Sequence, residues 1–417
     1  ASDVYKRQPM TRSGRFLAAL LVAAAATVGM APLLSVAVDP YGVWGTAKLL
    51  WSNPATFPWL EDGARVHARS PDLVAAERLF LGASNMQWGL PVTATREAPT
   101  RAYKASNPFQ SLDDHSFYLD KALAAGNPRD VVVSIDPTHF ADLGLRPAWR
   151  RIVLPSDSLP RILYDLTKLS VPPAALVDAL RVAGWRLSPD YGRLNPGAAP
   201  SIFTRAYDTG WPLFARASGT IATNFAHEYC QGRRFGFDRD GQSMYDQLIV
   251  LARRAQVAGV RLSVVQLPQH LMMMDIYDRV GVGRHYEEWL RRVVSSLAAL
   301  NAGPLLRFVD FNVPQMRLDE GIPSPDATDA DAVRETPIVW WYDALHFSPM
   351  LGERILADLE RPDGPALGTV VTPDNVEEHL AMFEAFRASA ERVLDTRPGS
   401  PMRQLRDRLR VPGSAPA

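Results

Sequence analysis

The feature that most constrains this chain is a short run in its first third, Asp130 to Asp136 (DVVVSID). Three consecutive valines cannot alternate between a wet and a dry face. A strand built from them is buried on both sides, as strands of parallel sheets are. Further strand candidates stand at Leu79 to Leu81, Arg101 to Ser106, Val260 to Leu267 (VRLSVVQL), Arg307 to Phe311 and Ile338 to Tyr342. Helical periodicity fills the gaps: Ser111 to Ala125 with Gly126 as its stop, Gln242 to Ala258, Tyr286 to Leu300 and Pro349 to Leu359. Strands separated by helices imply right-handed crossovers and a parallel sheet covered on both faces.

The rhythm stops between Pro137 and about Asp240, where prolines and aromatics dominate and only short helical pieces such as Ala174 to Val182 stand out. A structureless loop of that length is uncommon inside a compact domain, so 137–240 reads as an inserted lid subdomain. Beyond Leu359 a Pro/Gly connector, a helical pattern from Val376 to Leu394 and a basic tail read as a peripheral extension, 361–417.

At the other end, Phe16 to Val38 is a charge-free run of 23 residues, about 35 Å long as a helix and enough for a bilayer. Arg12 and Arg15 precede it and Asp39 follows, so the positive-inside rule leaves 1–15 in the cytoplasm and the rest outside. Two readings fit: an uncleaved signal anchor, favoured because the run exceeds a usual signal-peptide core, or a signal peptide cut after Ser35-Val36-Ala37. Residues 1–9 precede Met10 and read as an upstream extension, and 39–72, rich in Trp, Pro and Gly, as a juxtamembrane connector to an α/β domain over 73–360.

Forty-five Lys+Arg balance 45 Asp+Glu, which argues against nucleic acid or another polyanion as partner. Cys230 is the single cysteine, so no internal disulfide forms, and no Cys/His cluster has zinc spacing; neither a metal nor a cofactor is expected.

Ligands of open α/β sheets bind beyond the carboxyl ends of the strands. At the first such end, Gly82-Ala83-Ser84 places a serine where helix N-terminal amides could hold an oxyanion, although an ordinary serine cap has the same sequence. After Ile338–Trp341 comes Asp343-Ala344-Leu345-His346, whose spacing lets the carboxylate orient the imidazole as a general base. A second Asp-x-x-His, Asp136 to His139, fits a loop cap or, more remotely, a metal site. Gln266 to His270 leaves the sheet at another carboxyl end, where His270 either lines the cleft or caps, with Met272, Met273 and Met274 packing beneath. Trp340, Trp341 and Tyr342 read as core packing, with stacking on a sugar ring as the alternative.

A serine after the first strand and Asp-x-x-His after the last is the order of the SGNH/GDSL hydrolase-like superfamily, which the chain resembles at these residues. Leu81-Gly82-Ala83-Ser84 with Gly89, and Asp343 to Ser348 (DALHFS) with Gly352, look like the first and closing blocks of its membrane-anchored branch. That branch includes O-acetyltransferase proteins for alginate and other exported polysaccharides. Asp39-Pro40-Tyr41-Gly42 after the anchor is similar to it too. The resemblance covers about 75–136 and 242–360. It implies a flavodoxin-like three-layer α/β/α fold with a roughly five-stranded parallel sheet. It also implies Ser84 as nucleophile, His346 as base and Asp343 as its orienting carboxylate.

The chain departs from the pattern twice. Lys104-Ala105-Ser106-Asn107 stands where the family has a Gly, and Ser134-Ile135-Asp136-Pro137 where it has Gly-x-Asn-Asp. An ionised Asp cannot donate to an oxyanion. Asn107 is the candidate replacement donor, and Asn85, Asp136 and His270 are further candidates to line the site. The implied function is a serine O-acyl enzyme, transferase or esterase, on the periplasmic side of a bacterial inner membrane. Its partners would be a glycan or acyl-ester substrate, the membrane and a membrane acyl-donor protein. The competing expectation is an inert SGNH-like glycan-binding scaffold of a polysaccharide export or acetylation complex.

Overall fold

The computed structural model describes residues 12–46, 63–92, 101–141 without 109 and 127, 157–187, 214, 218–223, 234–320 without 239 and 240, and 338–395 without 362 and 363. In chain order its helices of six residues or more include α1 (Arg12–Val38), α2 (Gly63–Arg69), α3 (Ser84–Gly89), α4 (Leu112–Ala124), α5 (Leu159–Ser170), α6 (Pro173–Leu187), α7 (Met244–Val257), α8 (Leu271–Arg279), α9 (Tyr286–Ala298), α10 (Pro349–Leu359) and α11 (Val376–Asp395). The strands are β1 (Arg78–Gly82), β2 (Ala102–Ser106), β3 (Asp130–Ser134), β4 (Arg261–Gln266), β5 (Leu306–Asp310) and β6 (Thr369–Val370). The chain divides into two compact units, Ala1–Pro71 with Ser156–Ala199, and Asp72–Pro155 with Pro200–Ala417.

The larger unit is α/β, with one six-stranded sheet in the order β2-β1-β3-β4-β5-β6. Its first five strands are parallel and β6 runs antiparallel to β5. As the valine run required, Val131, Val132 and Val133 are all buried. Helix starts follow local chemistry. Ser111 and Asp114 close a reciprocal capping box on α4, Ser243 caps α7, and Gly126 takes a left-handed φ of 73° past the end of α4.

The sheet has six strands rather than about five, and the sixth is not the one expected. Ile338 to Tyr342, expected as a strand, stays outside the sheet because the Glu320 carboxylate takes the Val339 and Trp340 N–H groups at 3.1 and 2.7 Å. Those donors are thereby removed from any ladder. The sixth strand comes instead from the stretch read as peripheral: β6 pairs with β5, and α11 buries Leu380 and Phe383.

The smaller unit holds α1, α2, α5 and α6. A helix does occupy the expected anchor, but among the described residues no helix is long and apolar enough to cross a membrane, so the spanning segment is not found. The last turns of α1 are taken up by protein: Val38 is buried with Ala179 and Val182, with Leu34 and Ala183 against them. The Asp39-Pro40-Tyr41-Gly42 segment then turns sharply. Asp39, at φ 48°, accepts the Val43 and Trp44 N–H groups, and the Tyr41 hydroxyl donates to Asp178 at 2.8 Å. Buried Asp165 gathers Arg65, Arg69 and Arg161 within 3.4 Å. Within the insertion expected as a lid, 156–199 thus belongs to the smaller unit and 200–240 to the larger. Residues 142–156 and 188–213, and the tails 1–11 and 396–417, lie outside the described residues.

Candidate active site

β1 lies between β2 and β3, so successive connections leave it on opposite sides and open a crevice at its carboxyl end. Ser84 stands there, two residues past Gly82, as the first residue of α3. Ala83 before it is extended (φ −88°, ψ −161°) and offers no side-chain cap. Gly82 is required by space: a Cβ there would lie 2.4 Å from Ser134 Oγ and 2.7 Å from Met86 Cβ.

His346 arrives from the other end of the sequence. Its Nε2 is 2.9 Å from Ser84 Oγ and its Nδ1 is 2.7 Å from Asp343 Oδ2. Asp343 Oδ1 also accepts the Leu345 and His346 N–H groups at 2.8 and 2.7 Å, which folds the loop into a compact turn. A bridge between Trp341 and Phe347 and the Ala344 N–H donating to Ser218 Oγ at 3.0 Å hold that turn from outside. Asp343 and His346 are buried while Ser84 is only partly so. A carboxylate receiving Nδ1–H leaves Nε2 with its lone pair toward the serine, the tautomer a general base needs.

Two glycines set this approach. A Cβ on Gly352 of α10 would fall 1.8 Å from the Gly89 carbonyl oxygen of α3, and one on Gly89 would fall 2.2 Å from the Phe347 ring. The helix that carries the serine and the helix that follows the histidine therefore touch backbone to backbone. Sequence reading noted both glycines only as parts of motifs.

The remaining candidates divide. β1–β2 pairing sets Gly82 opposite Ser106, so Asn107 stands beside Ala83; its N–H donates to Gly82 O at 3.3 Å. Its side-chain amide lies 3.5 Å from Gln110 Oε1. Asn85 is buried and folds back, its Oδ1 accepting the Met86 N–H at 2.8 Å. Asp136 is buried beyond β3. Burial opposes its ionisation, but His139 and the Thr138 hydrogen bonds outweigh it and hold the carboxyl below the usual range. It stays an acceptor. His270 does not line a cleft: it has no exposure, its Nδ1 accepts the Met272 N–H at 3.1 Å and its Nε2 lies 2.8 Å from Glu320 O. It caps α8, and burial pushes it down to about 4. Trp341 is core, as are Met272, Met273 and Met274.

Lys104, which sequence reading met only as a departure from the family pattern, acts on the same helix. Its Nζ donates to the carbonyls of Gln87 and Leu90 at 2.8 and 2.5 Å, the unpaired end of α3, and burial lowers it to about 7. A second Asp–His pair, Asp310 Oδ2 to His379 Nε2 at 2.8 Å, is wholly buried and ties α11 to the end of β5. No hydroxyl or thiol meets the other nitrogen of His379. Among the described residues no group of three or more His, Cys, Asp or Glu could hold a metal ion, and the Asp136–His139 pair gathers no further ligand. No protein-family model matches the chain, and no curated protein does.

Proposed function

We propose that this chain is an SGNH/GDSL-like serine O-acyl enzyme acting on a polysaccharide or other glycan outside the cytoplasm. The observation that carries the reading is the Ser84–His346–Asp343 chain of contacts at 2.9 and 2.7 Å, drawn from residues 262 positions apart. The 2-1-3-4-5 order of the parallel strands supports a flavodoxin-like, three-layer arrangement of the SGNH kind. The sequence blocks around Ser84 and His346 support a glycan acceptor.

In this reading His346 Nε2 takes the Ser84 proton as Oγ attacks the acyl carbonyl. Backbone N–H groups at the start of α3, with Asn107, stabilise the oxyanion. His346 then gives the proton to the departing alcohol, leaving an acyl-serine. In the second half a water or a glycan hydroxyl loses its proton to His346 and attacks the acyl carbon, and Ser84 takes the proton back. Asp343 keeps the imidazole in one tautomer throughout and stabilises the imidazolium.

A fluorophosphonate probe should label the wild-type chain and not Ser84→Ala, and hydrolysis of an aryl acetate should vanish with the same change. A folded wild-type protein that neither labels nor turns over would overturn the reading. Asp136 favours a second one. A fixed acceptor at the end of β3, where a donor would serve the oxyanion, suits an inert glycan-binding scaffold. That protein would bind glycan equally well as Ser84→Ala and show no turnover.

A further inference from the structure

The smaller unit is unlike the larger in what it shows to its surroundings. Of the large apolar side chains exposed among the described residues, fifteen belong to it and five to the larger unit. Eight of the fifteen lie on α1 or, as Trp44, just past it. The other seven are unexpected, because they lie on α5, just after it or on α6, two helices from the insertion. Leu159, Leu163 and Val171 on or just after α5, and Val177, Leu180 and Leu187 on α6, are 44 to 75% exposed. On α6 they recur three and seven residues apart with Gly184 between, which is one stripe of a helix. Contiguous apolar surface of this kind marks an interaction site.

Charge distinguishes the partner. Both acidic residues within α5 and α6 are turned inward, Asp165 onto three arginines and Asp178 onto the Tyr41 hydroxyl and Arg181. Among the described side chains, the exposed charges on these helices are cationic, Lys168 and Arg181. Tyr164, an exposed aromatic, sits with Arg65, Arg161 and Lys168 each within 5.7 Å of its ring. Asp157, just before α5, is exposed but paired with Arg69 at 2.9 Å. Leucines beside cations, an aromatic with a polar tip and no outward acid within either helix form the pattern of a helix lying in a lipid interface. A neutral chain that gathers this surplus on one unit has segregated its charge.

We infer that α5 and α6 form an interfacial platform that lies flat on an anionic lipid surface, alongside α1. Nothing in this requires a spanning helix, and it stands whether or not Ser84 is a nucleophile. The test uses the full chain with Cys230 replaced by alanine and an environment-sensitive fluorophore on Leu163→Cys, Leu180→Cys or, as the reference in the larger unit, Val257→Cys. With phosphatidylcholine vesicles containing phosphatidylglycerol and doxyl-labelled lipid, the labels at 163 and 180 should shift to the blue and be quenched, and that at 257 should not. Lys168→Ala and Arg181→Ala should each weaken the effect about fivefold on anionic vesicles and little on pure phosphatidylcholine. The inference is overturned if the labels at 163 and 180 remain as open to an aqueous quencher on such vesicles as in buffer. It is equally overturned if shielding rises with protein concentration without lipid, which would make a second copy the occupant.

Discussion

Replacing Gly352 by alanine adds one methyl group at the point where α10 meets α3. The new Cβ would sit 1.8 Å from the Gly89 carbonyl oxygen, 2.8 Å from its carbonyl carbon and 2.8 Å from Pro91 Cδ. None of these is the end of a flexible side chain, so no rotamer change relieves the clash. Restoring ordinary contact at 3.4 Å separates the helices by about 1.6 Å. Overpacking of this kind costs about 1–3 kcal/mol of stability. The larger effect falls on the site, because Ser84 starts α3 and His346 stands three residues before α10. Their 2.9 Å contact is already at hydrogen-bond length, and a displacement of this size takes it beyond the reach of proton transfer. A misplacement of about 1 Å can cost roughly 10²-fold in rate. We therefore expect Gly352→Ala to lower the second-order rate of fluorophosphonate labelling by about 10²-fold or more, with a melting temperature a few degrees down and an unchanged far-ultraviolet dichroism spectrum. Wild-type labelling in a folded Gly352→Ala protein would refute the argument that backbone contact sets the Ser84–His346 distance.

Two further outcomes are expected. Asp343→Asn keeps an acceptor for the Leu345 and His346 N–H groups but turns an N–H toward His346 Nδ1, forcing the wrong tautomer; labelling and aryl-acetate turnover should fall roughly 10³- to 10⁴-fold with little change in melting. His270 titrates at about 4 when folded against 6.5 unfolded, so the unfolded chain binds more protons in that interval. Stability from this group is complete above pH 6.5 and is lost as pH falls toward about 4, by about 3 kcal/mol in all. Urea melts along that range should show a shallower pH slope for His270→Gln than for wild type, and equal slopes would remove His270 as its source.

Much of this was legible because it is local. Valines at 131–133 state burial on both faces without reference to any other segment, and Ser111 and Asp114 write a helix start within four residues. The order of Ser84 and Asp343-x-x-His346 along an α/β chain, through its resemblance to the SGNH/GDSL pattern, nominated three residues that the fold brings together. His270 stayed open between two readings because a strand-end histidine looks the same whether it faces a cleft or caps a buried helix. Only the carbonyl of Glu320 and the N–H of Met272 decide it. The strand expected at 338–342 misled for a similar reason, since the carboxylate that takes its donors is about twenty residues away.

The sequence by itself determined the five parallel strands, the stop of α4 at Gly126, the serine and its Asp–His turn, because each depends on the chemistry of neighbouring residues. Tertiary structure alone decided which strands adjoin, that β6 closes the sheet from beyond the expected domain, and that 156–199 joins α1. It alone decided that Gly89 and Gly352 let two helices approach closely enough for a 2.9 Å contact between Ser84 and His346. Those outcomes depend on which surfaces exclude water together, and that is a property of the packed chain rather than of any window along it.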